Sequence, residues 1–208
     1  MELYPICLKL KGVLCLVIGG GNVALRKARS LIRCQARIIV VSPELCKGFK
    51  SPKIRKNVIY KKSAYKKYFL KKAFIVIAAT DNERTNLQIA KDAHKKDILI
   101  NVVDQPDLCN FYVPAVVKKG PILASVATSG IFPGLAKKIK KDFSAQLDKY
   151  AKDLKILSKL RDAVKKEFKN KQVRKGIIQG LLEPTVLKLI EKKKIKNLRD
   201  LKAYFNSL

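Results

Sequence analysis

The chain is poor in the side chains and patterns on which many enzyme chemistries depend. It holds one histidine, His94, in 208 residues. It has no Ser–His–Asp constellation, no H-E-x-x-H pair and no P-loop pattern. His94 itself sits late in a polar, lysine-rich stretch and reads as solvent-facing. The five cysteines (Cys7, Cys15, Cys34, Cys46 and Cys109) are odd in number, scattered, and free of any C-x-x-C spacing. A disulfide framework or a zinc site is therefore not expected, and no metal ligands are assigned. No apolar run reaches the ~20 residues of a membrane-spanning helix. Val13 to Ile18 follows basic residues as a signal-peptide core does. It is short, and glycines follow it instead of a small-residue cleavage site, so it reads as a strand. A cytoplasmic protein with no membrane partner is the expectation. Acidic residues are scarce, 16 against 46 lysines and arginines, for a formal net charge of +30. Such a field attracts nucleic acid, an anionic membrane surface, or a small polycarboxylate, and does not choose among them. A lysine-rich surface also serves solubility alone.

Apolar residues make up 48% of the chain, enough for a real core. The length suits one medium domain, or a nucleotide-binding domain with a smaller companion. The first half alternates between strand and helix patterns. Tyr4 to Leu10 reads as a lead-in strand. Val13 to Ile18 is a continuous apolar run, as in a strand buried on both faces. Asn22 to Arg33 reads as a helix with Ala24, Ala28, Leu31 and Ile32 on one face. Strands are expected at Arg37 to Val41, Phe74 to Ala79 and Ile98 to Val103. Glu83 to Lys95 reads as a helix capped by Asp81 or Asn82. Lys47 to Lys72 is lysine-rich and predicts only a short strand at Val58 to Tyr60 and a weak helix near Tyr65 to Leu70. This alternation predicts a parallel sheet with helices on both faces. After Pro114 the character changes. A strand at Ile122 to Ala127 precedes a turn at Thr128-Ser129-Gly130. A basic helix runs from Leu135 to about Tyr150. The remainder reads as helical, broken near Gly176 to Gly180 and at Pro184.

Gly19-Gly20-Gly21-Asn22-Val23-Ala24 fits G-x-G-x-x-A. Alone the pattern is weak, but here it follows a buried strand and opens a helix, which is the context a dinucleotide loop requires. Gly19 allows the tight turn, Gly21 lets the backbone approach a pyrophosphate, and Ala24 lets the helix pack close to the sheet. A ribose-reading residue belongs at the end of the second strand, roughly 20 residues on. Ser42 stands there, with Glu44 two residues later. Glu44 favours NAD, Lys47 nearby leaves NADP open, and an ordinary loop acid is the bland alternative. Ligands in such folds bind outside the carboxyl ends of the strands. Thr80 and Asp104 stand at two further strand ends. A carboxylate at Asp104 can accept a proton, hold a cationic group, or merely cap a loop N–H.

Several segments in order resemble a known family: Tyr4-Pro5 with Leu8, the Gly19 to Ala24 loop with Arg26-Lys27, Ala78-Ala79-Thr80-Asp81, Asn101 to Asp104, Asn110-Phe111 with Pro114-Ala115, and Gly130 with Pro133, Leu135 and Ala136. Together they are similar to precorrin-2 dehydrogenase / sirohydrochlorin ferrochelatase, the N-terminal module of siroheme synthase, over roughly residues 4 to 140. The resemblance implies NAD-dependent oxidation of precorrin-2 to sirohydrochlorin, and in some members ferrous insertion. It implies Asp104 as general base or chelation group, cofactor contacts at Asn22, Val23, Pro43 and Glu44, and a homodimer built by the segment after Pro114. The expected architecture is α/β: a Rossmann-type domain over 1–113, a small α+β dimerisation and substrate segment over 114–150, and a helical part over 151–208. Departures are Gln35 where the family has glycine, and Phe132 before Pro133 where it prefers serine. A left-handed Gln35 would cost roughly 1 kcal/mol. The alternatives are a non-catalytic tetrapyrrole regulator and a basic RNA-binding protein on the same scaffold. Stacking or base-reading motifs are absent, so nucleic acid is not the expected partner.

Overall fold

A computed structural model describes residues 3–128 and 131–206. The chain divides into two compact units, Met1–Val113 and Pro114–Leu208.

The first unit is built from β1 (Leu14–Ile18), α1 (Asn22–Arg33), β2 (Arg37–Ser42), the one-turn α2 (Pro52–Arg55), β3 (Val58–Lys62), β4 (Ile75–Ala78), α3 (Glu83–His94) and β5 (Leu99–Val102). The sheet runs β3-β2-β1-β4-β5 with every neighbouring pair parallel. From β1 the chain winds outward to β3, then returns to lay β4 and β5 on the other side. The order therefore reverses between β1 and β4, where folds of this kind open a ligand crevice.

Strand periodicity divides the core. Cys15, Val17, Ile38, Val40, Ile75 and Ile77 pack with Ala24, Leu25, Ala28 and Leu31 of α1. Leu16, Ile18, Val41, Val76, Ala78, Ile100 and Val102 pack with Ile89, Ala90 and Ala93 of α3. Both faces of β1 are thus covered, which is why its sequence is apolar without alternation. Each buried valine, leucine or isoleucine among them contributes about 1.5–3 kcal/mol through burial. The α1–β2 turn places Gln35 at φ 58°. The cost of that left-handed residue is offset by the bonds that lock the turn, Gly12 N–H to Gln35 O at 2.9 Å and Arg37 N–H to Val13 O at 2.9 Å.

The structure corrects several local expectations. Residues 3–10 form no strand and are exposed except Leu10, because no strand lies beside them to pair with. Phe74 lies outside β4 and is exposed. The lysine-rich stretch contains 3-10 turns at Lys47–Lys50 and Lys67–Leu70 besides β3. Phe49, Ile54 and Leu70 are its buried anchors.

In the second unit, β6 (Ala115–Lys119), which the sequence reading passed over, pairs antiparallel with β7 (Ile122–Val126). Ser129 and Gly130 of the expected turn lie outside the described residues. Helix α4 (Pro133–Glu167) does not stop near Tyr150. Its first half packs on the hairpin, and its second half packs on α5 (Lys171–Gly180), α6 (Pro184–Glu191) and α7 (Leu198–Phe205). Leu160, Val164, Leu181, Val186, Ile190 and Leu201 form the core there. Gly176 lies inside α5, but Gly180 ends it and Pro184 opens α6, so the expected break falls at 181–183. The chain also turns at 168–170, where Asn170 accepts from the N–H groups of Gln172 and Val173. No helix among the described residues is long and apolar enough to cross a membrane.

Candidate functional site

The carboxyl ends of β1, β2, β4 and β5 bring the candidate residues together on the first unit. Gly19 leaves β1 at φ 121°, and its N–H donates to Val41 O at 2.9 Å. A Cβ at Gly19 would collide with the carbonyl of Ala79. The chain then passes beneath the loop after β2. Cys46 N–H donates to Gly20 O at 2.8 Å, and a Cβ on Gly20 would run into the carbonyl oxygen of Glu44, with Ser42 Oγ only 2.7 Å away. Gly21 is different. Nothing stands within 4 Å of the position its Cβ would take. Gly21 is also the N-cap of α1, with no side chain capping that end and no acid in the first turn. The first-turn N–H groups of Asn22, Val23 and Ala24 therefore present partial positive charge toward open space, which suits a pyrophosphate. Ala24 is fully buried beneath, letting α1 approach the sheet.

Ser42 is the last residue of β2 and is buried, so its hydroxyl faces the glycine loop rather than solvent. The Tyr60 hydroxyl donates to the carbonyl oxygens of Ser42 and Pro43, each at 3.1 Å, and fixes the following loop. Pro43 and the Glu44 side chain are exposed. Thr80 follows β4, but its hydroxyl is occupied. It donates to Asn86 Oδ1 at 2.7 Å and receives Asn82 N–H at 3.3 Å. Of the two cap candidates, Asn82 caps α3, accepting from Thr85 N–H at 2.8 Å.

Asp104 stands just past β5, exposed, at φ 59°. The stretch around it is closed by side chains. Val102 N–H donates to Cys109 Sγ at 3.1 Å, and that thiol donates back to Val102 O at 3.3 Å. Asn110 accepts from Ile100 N–H at 2.7 Å and donates to Ile98 O at 3.0 Å, standing in for a neighbouring strand. Burial pushes the Cys109 thiol above its ordinary range. The Val102 hydrogen bond, the Lys27 charge and Asn101 oppose that shift without reversing it. Cys109 is thus a structural thiol. His94 is exposed, and its Nε2 meets Leu108 O at 3.1 Å on the same loop.

Three residues here carried no role in the sequence reading. Gly20 is the most crowded of the described glycines. Lys27 of α1 is half-buried, and its Nζ donates to Asn101 Oδ1 at 3.0 Å. Asn101, buried on β5, passes the link on by donating from Nδ2 to Phe111 O at 3.2 Å. A signal for Lys27 existed. It lies three residues after Ala24 and four before Leu31, on the flank of the apolar stripe. Among the described residues no cluster of histidine, cysteine, aspartate or glutamate could hold a metal ion.

A reversed strand order, a three-glycine turn and an uncapped helix end over open space define a dinucleotide-binding α/β domain. The sequence profile of the family described as putative NAD(P)-binding matches residues 6–115, more than half of the chain, which therefore belongs to that family. The chain is also 34% identical over 192 residues to a siroheme synthase of Methylobacillus flagellatus, covering 90% of this chain and 41% of that protein. It is 35% identical over 184 residues to a siroheme synthase of Chromobacterium violaceum, covering 88% of this chain and 39% of that one. The chain thus spans about two fifths of the length of these relatives. Its fold is that of a solved structure described as SirC, precorrin-2 dehydrogenase, with a TM-score of 0.79 at 22% identity over 99% of this chain and 100% of that one.

Proposed function

We propose that the chain oxidises precorrin-2 to sirohydrochlorin with NAD. The observation that carries this reading is Asp104, set in a left-handed turn at the β5 end of a dinucleotide crevice, in a chain 34–35% identical to siroheme synthases. Gly19, Gly21 and the N–H groups of Asn22, Val23 and Ala24 hold the pyrophosphate. Ser42, Pro43 and Glu44 border the adenine ribose, where the Glu44 carboxylate favours the free hydroxyls of NAD over the phosphate of NADP. Thr80 lines the crevice by its backbone, since its hydroxyl serves Asn86. A nicotinamide dinucleotide held there would supply the hydride acceptor. Asp104 accepts the proton that leaves with the hydride, so the substrate loses two hydrogens in all and the carboxylate becomes a carboxylic acid until it returns the proton to water. The net charge of +30 draws in a polycarboxylate tetrapyrrole.

The second unit supports a homodimer. Val116 and Leu123 on the hairpin and Leu135, Phe143 and Tyr150 on α4 are exposed apolar side chains. Free cysteines suit a reducing cytoplasm.

The test is anaerobic incubation with enzymatically generated precorrin-2 and NAD, following NADH and the sirohydrochlorin spectrum together. A parallel rise supports the reading, and adding ferrous iron, as a substrate, to the same cuvette then tests metal insertion. NAD binding without either signal rejects the chemistry and favours a non-catalytic tetrapyrrole binder. RNA binding without NAD binding rejects the site itself.

A further inference from the structure

Lysine is an expensive choice at position 27. The side chain is half-buried, and burial, with the charge of Arg26 beside it, pulls the ammonium below the ordinary lysine range, while Cys109 and Asp104 pull the other way. A methionine of similar length would pack α1 against β5 without that cost. The geometry shows what the lysine does there. Its Nζ donates to Asn101 Oδ1 at 3.0 Å, and the Asn101 amide donates onward to Phe111 O at 3.2 Å. One amide therefore joins helix α1, strand β5 and the segment that returns after Asp104. Asp104 lies inside that closed stretch, on backbone that persists at φ 59° only where its surroundings enforce it. The same helix carries the dinucleotide loop at its N-terminus, five residues before Lys27. The Lys27–Asn101 bond thus fixes the Asp104 turn relative to the loop that holds the cofactor.

We propose that Lys27 is a positioning residue for Asp104: it pins the 101–111 stretch to helix α1 and sets a cation within electrostatic reach of the Asp104 carboxyl. This rests on the reading of Asp104 as the proton acceptor. As Asp104 gains a proton and loses its charge, Lys27 keeps its bond to Asn101, so the turn holds its place through the cycle. A displaced acceptor slows the chemical step without loosening the dinucleotide, because the pyrophosphate contacts are backbone groups at the helix N-terminus, more than a turn from Lys27.

The experiment compares Lys27→Met and Lys27→Arg with the wild type by NADH affinity, KM and kcat. In Lys27→Met, kcat falls on the order of 10-fold to 100-fold, as for loss of a supporting hydrogen bond. NADH affinity and the KM for NAD stay within about 3-fold, a margin near 0.6 kcal/mol. Lys27→Arg, which keeps both the charge and the donor, restores most of the loss. In parallel, the Lys27 side-chain resonance, assigned by its disappearance in Lys27→Arg, is titrated by NMR in the wild type and in Asp104→Asn. Removing the Asp104 charge moves its midpoint further down. An unchanged kcat in Lys27→Met, equal damage in Lys27→Arg, or an unmoved Lys27 midpoint overturns the proposal. A wild type that makes no sirohydrochlorin sinks the dehydrogenase reading instead, and the NMR titration then still decides whether Lys27 and Asp104 are coupled.

Discussion

The carbonyl oxygen of Glu44 lies against the α-carbon of Gly20, in the space a side chain would need. The middle glycine of the loop is therefore held by the protein's own backbone, while Gly21 faces open space. The two positions should separate when mutated. Gly20→Ala pushes away the loop after β2 and costs about 1–3 kcal/mol of stability, as overpacking does. Gly21→Val leaves the melting temperature within a few degrees and abolishes NAD binding, because it fills the pyrophosphate approach. Thermal melts and NADH titration of both variants check this. Ordinary NAD affinity in Gly21→Val would remove the loop from the site.

Asp104→Ala should leave NAD affinity unchanged and cut turnover by at least about 100-fold, the scale of a lost general base. Asp104→Gly should lose turnover as fully, yet be more stable than Asp104→Ala by roughly 1 kcal/mol, because glycine accepts φ 59° and alanine does not. Paired denaturation curves and turnover assays read both effects. Turnover in either variant at the wild-type rate takes Asp104 out of the mechanism.

A third prediction concerns acid stability. Asp92 of α3 is buried. Burial pushes its carboxyl up, but hydrogen bonds from Gln88 and Tyr65 and the charges of Lys67 and Lys95 outweigh this and hold it below the usual carboxylate range. The Tyr65 hydroxyl donates to Asp92 Oδ2 at 3.0 Å. A carboxyl depressed in the folded state adds stability that is fully present above its unfolded value, near 4, and is lost as pH falls through the folded value. Asp92→Asn should therefore flatten the fall in stability below about pH 4. Tyr65→Phe should cost about 1.5–3 kcal/mol near neutrality, as for a hydrogen bond to a charged group. Urea unfolding at pH 7 and pH 3.5 reads both, and an unchanged acid slope in Asp92→Asn removes Asp92 as its source.

The Rossmann-type sheet was legible because its strands are buried on both faces and its α1 stripe of Ala24, Ala28 and Leu31 is regular. What escaped did so for physical reasons. Tyr4 to Leu10 has strand composition but no neighbouring strand. The lysine-rich 47–70 segment is mostly solvated, so its few anchors, Phe49, Ile54 and Leu70, set no period. Helix α4 runs past Tyr150 because Leu157, Leu160 and Val164 continue its apolar spacing onto new neighbours. The glycine loop announced itself through spacing. Lys27 shares the helix spacing of Ala24 and Leu31, but a lysine beside an apolar stripe reads as solvated until β5 is seen to hold Asn101 opposite it.

The last prediction tests the homodimer. On the outward face of the hairpin Val116 and Leu123 are exposed, and on α4 Leu135, Phe143 and Tyr150 recur at seven- and eight-residue steps, so they fall along one side of the helix. Several exposed large apolar side chains between Val116 and Tyr150 are more than scattered surface residues require. With the wild type at twice its chain mass of 23.4 kDa in sedimentation, Leu123→Lys combined with Phe143→Glu should shift the protein to that single-chain mass. Lys119 and Asp148, which pair at 2.8 Å between β6 and α4, are left intact by that choice, so the unit keeps its own packing. A double variant that still sediments at twice the chain mass would place the interface elsewhere. A wild type that sediments at the single-chain mass would reject the homodimer.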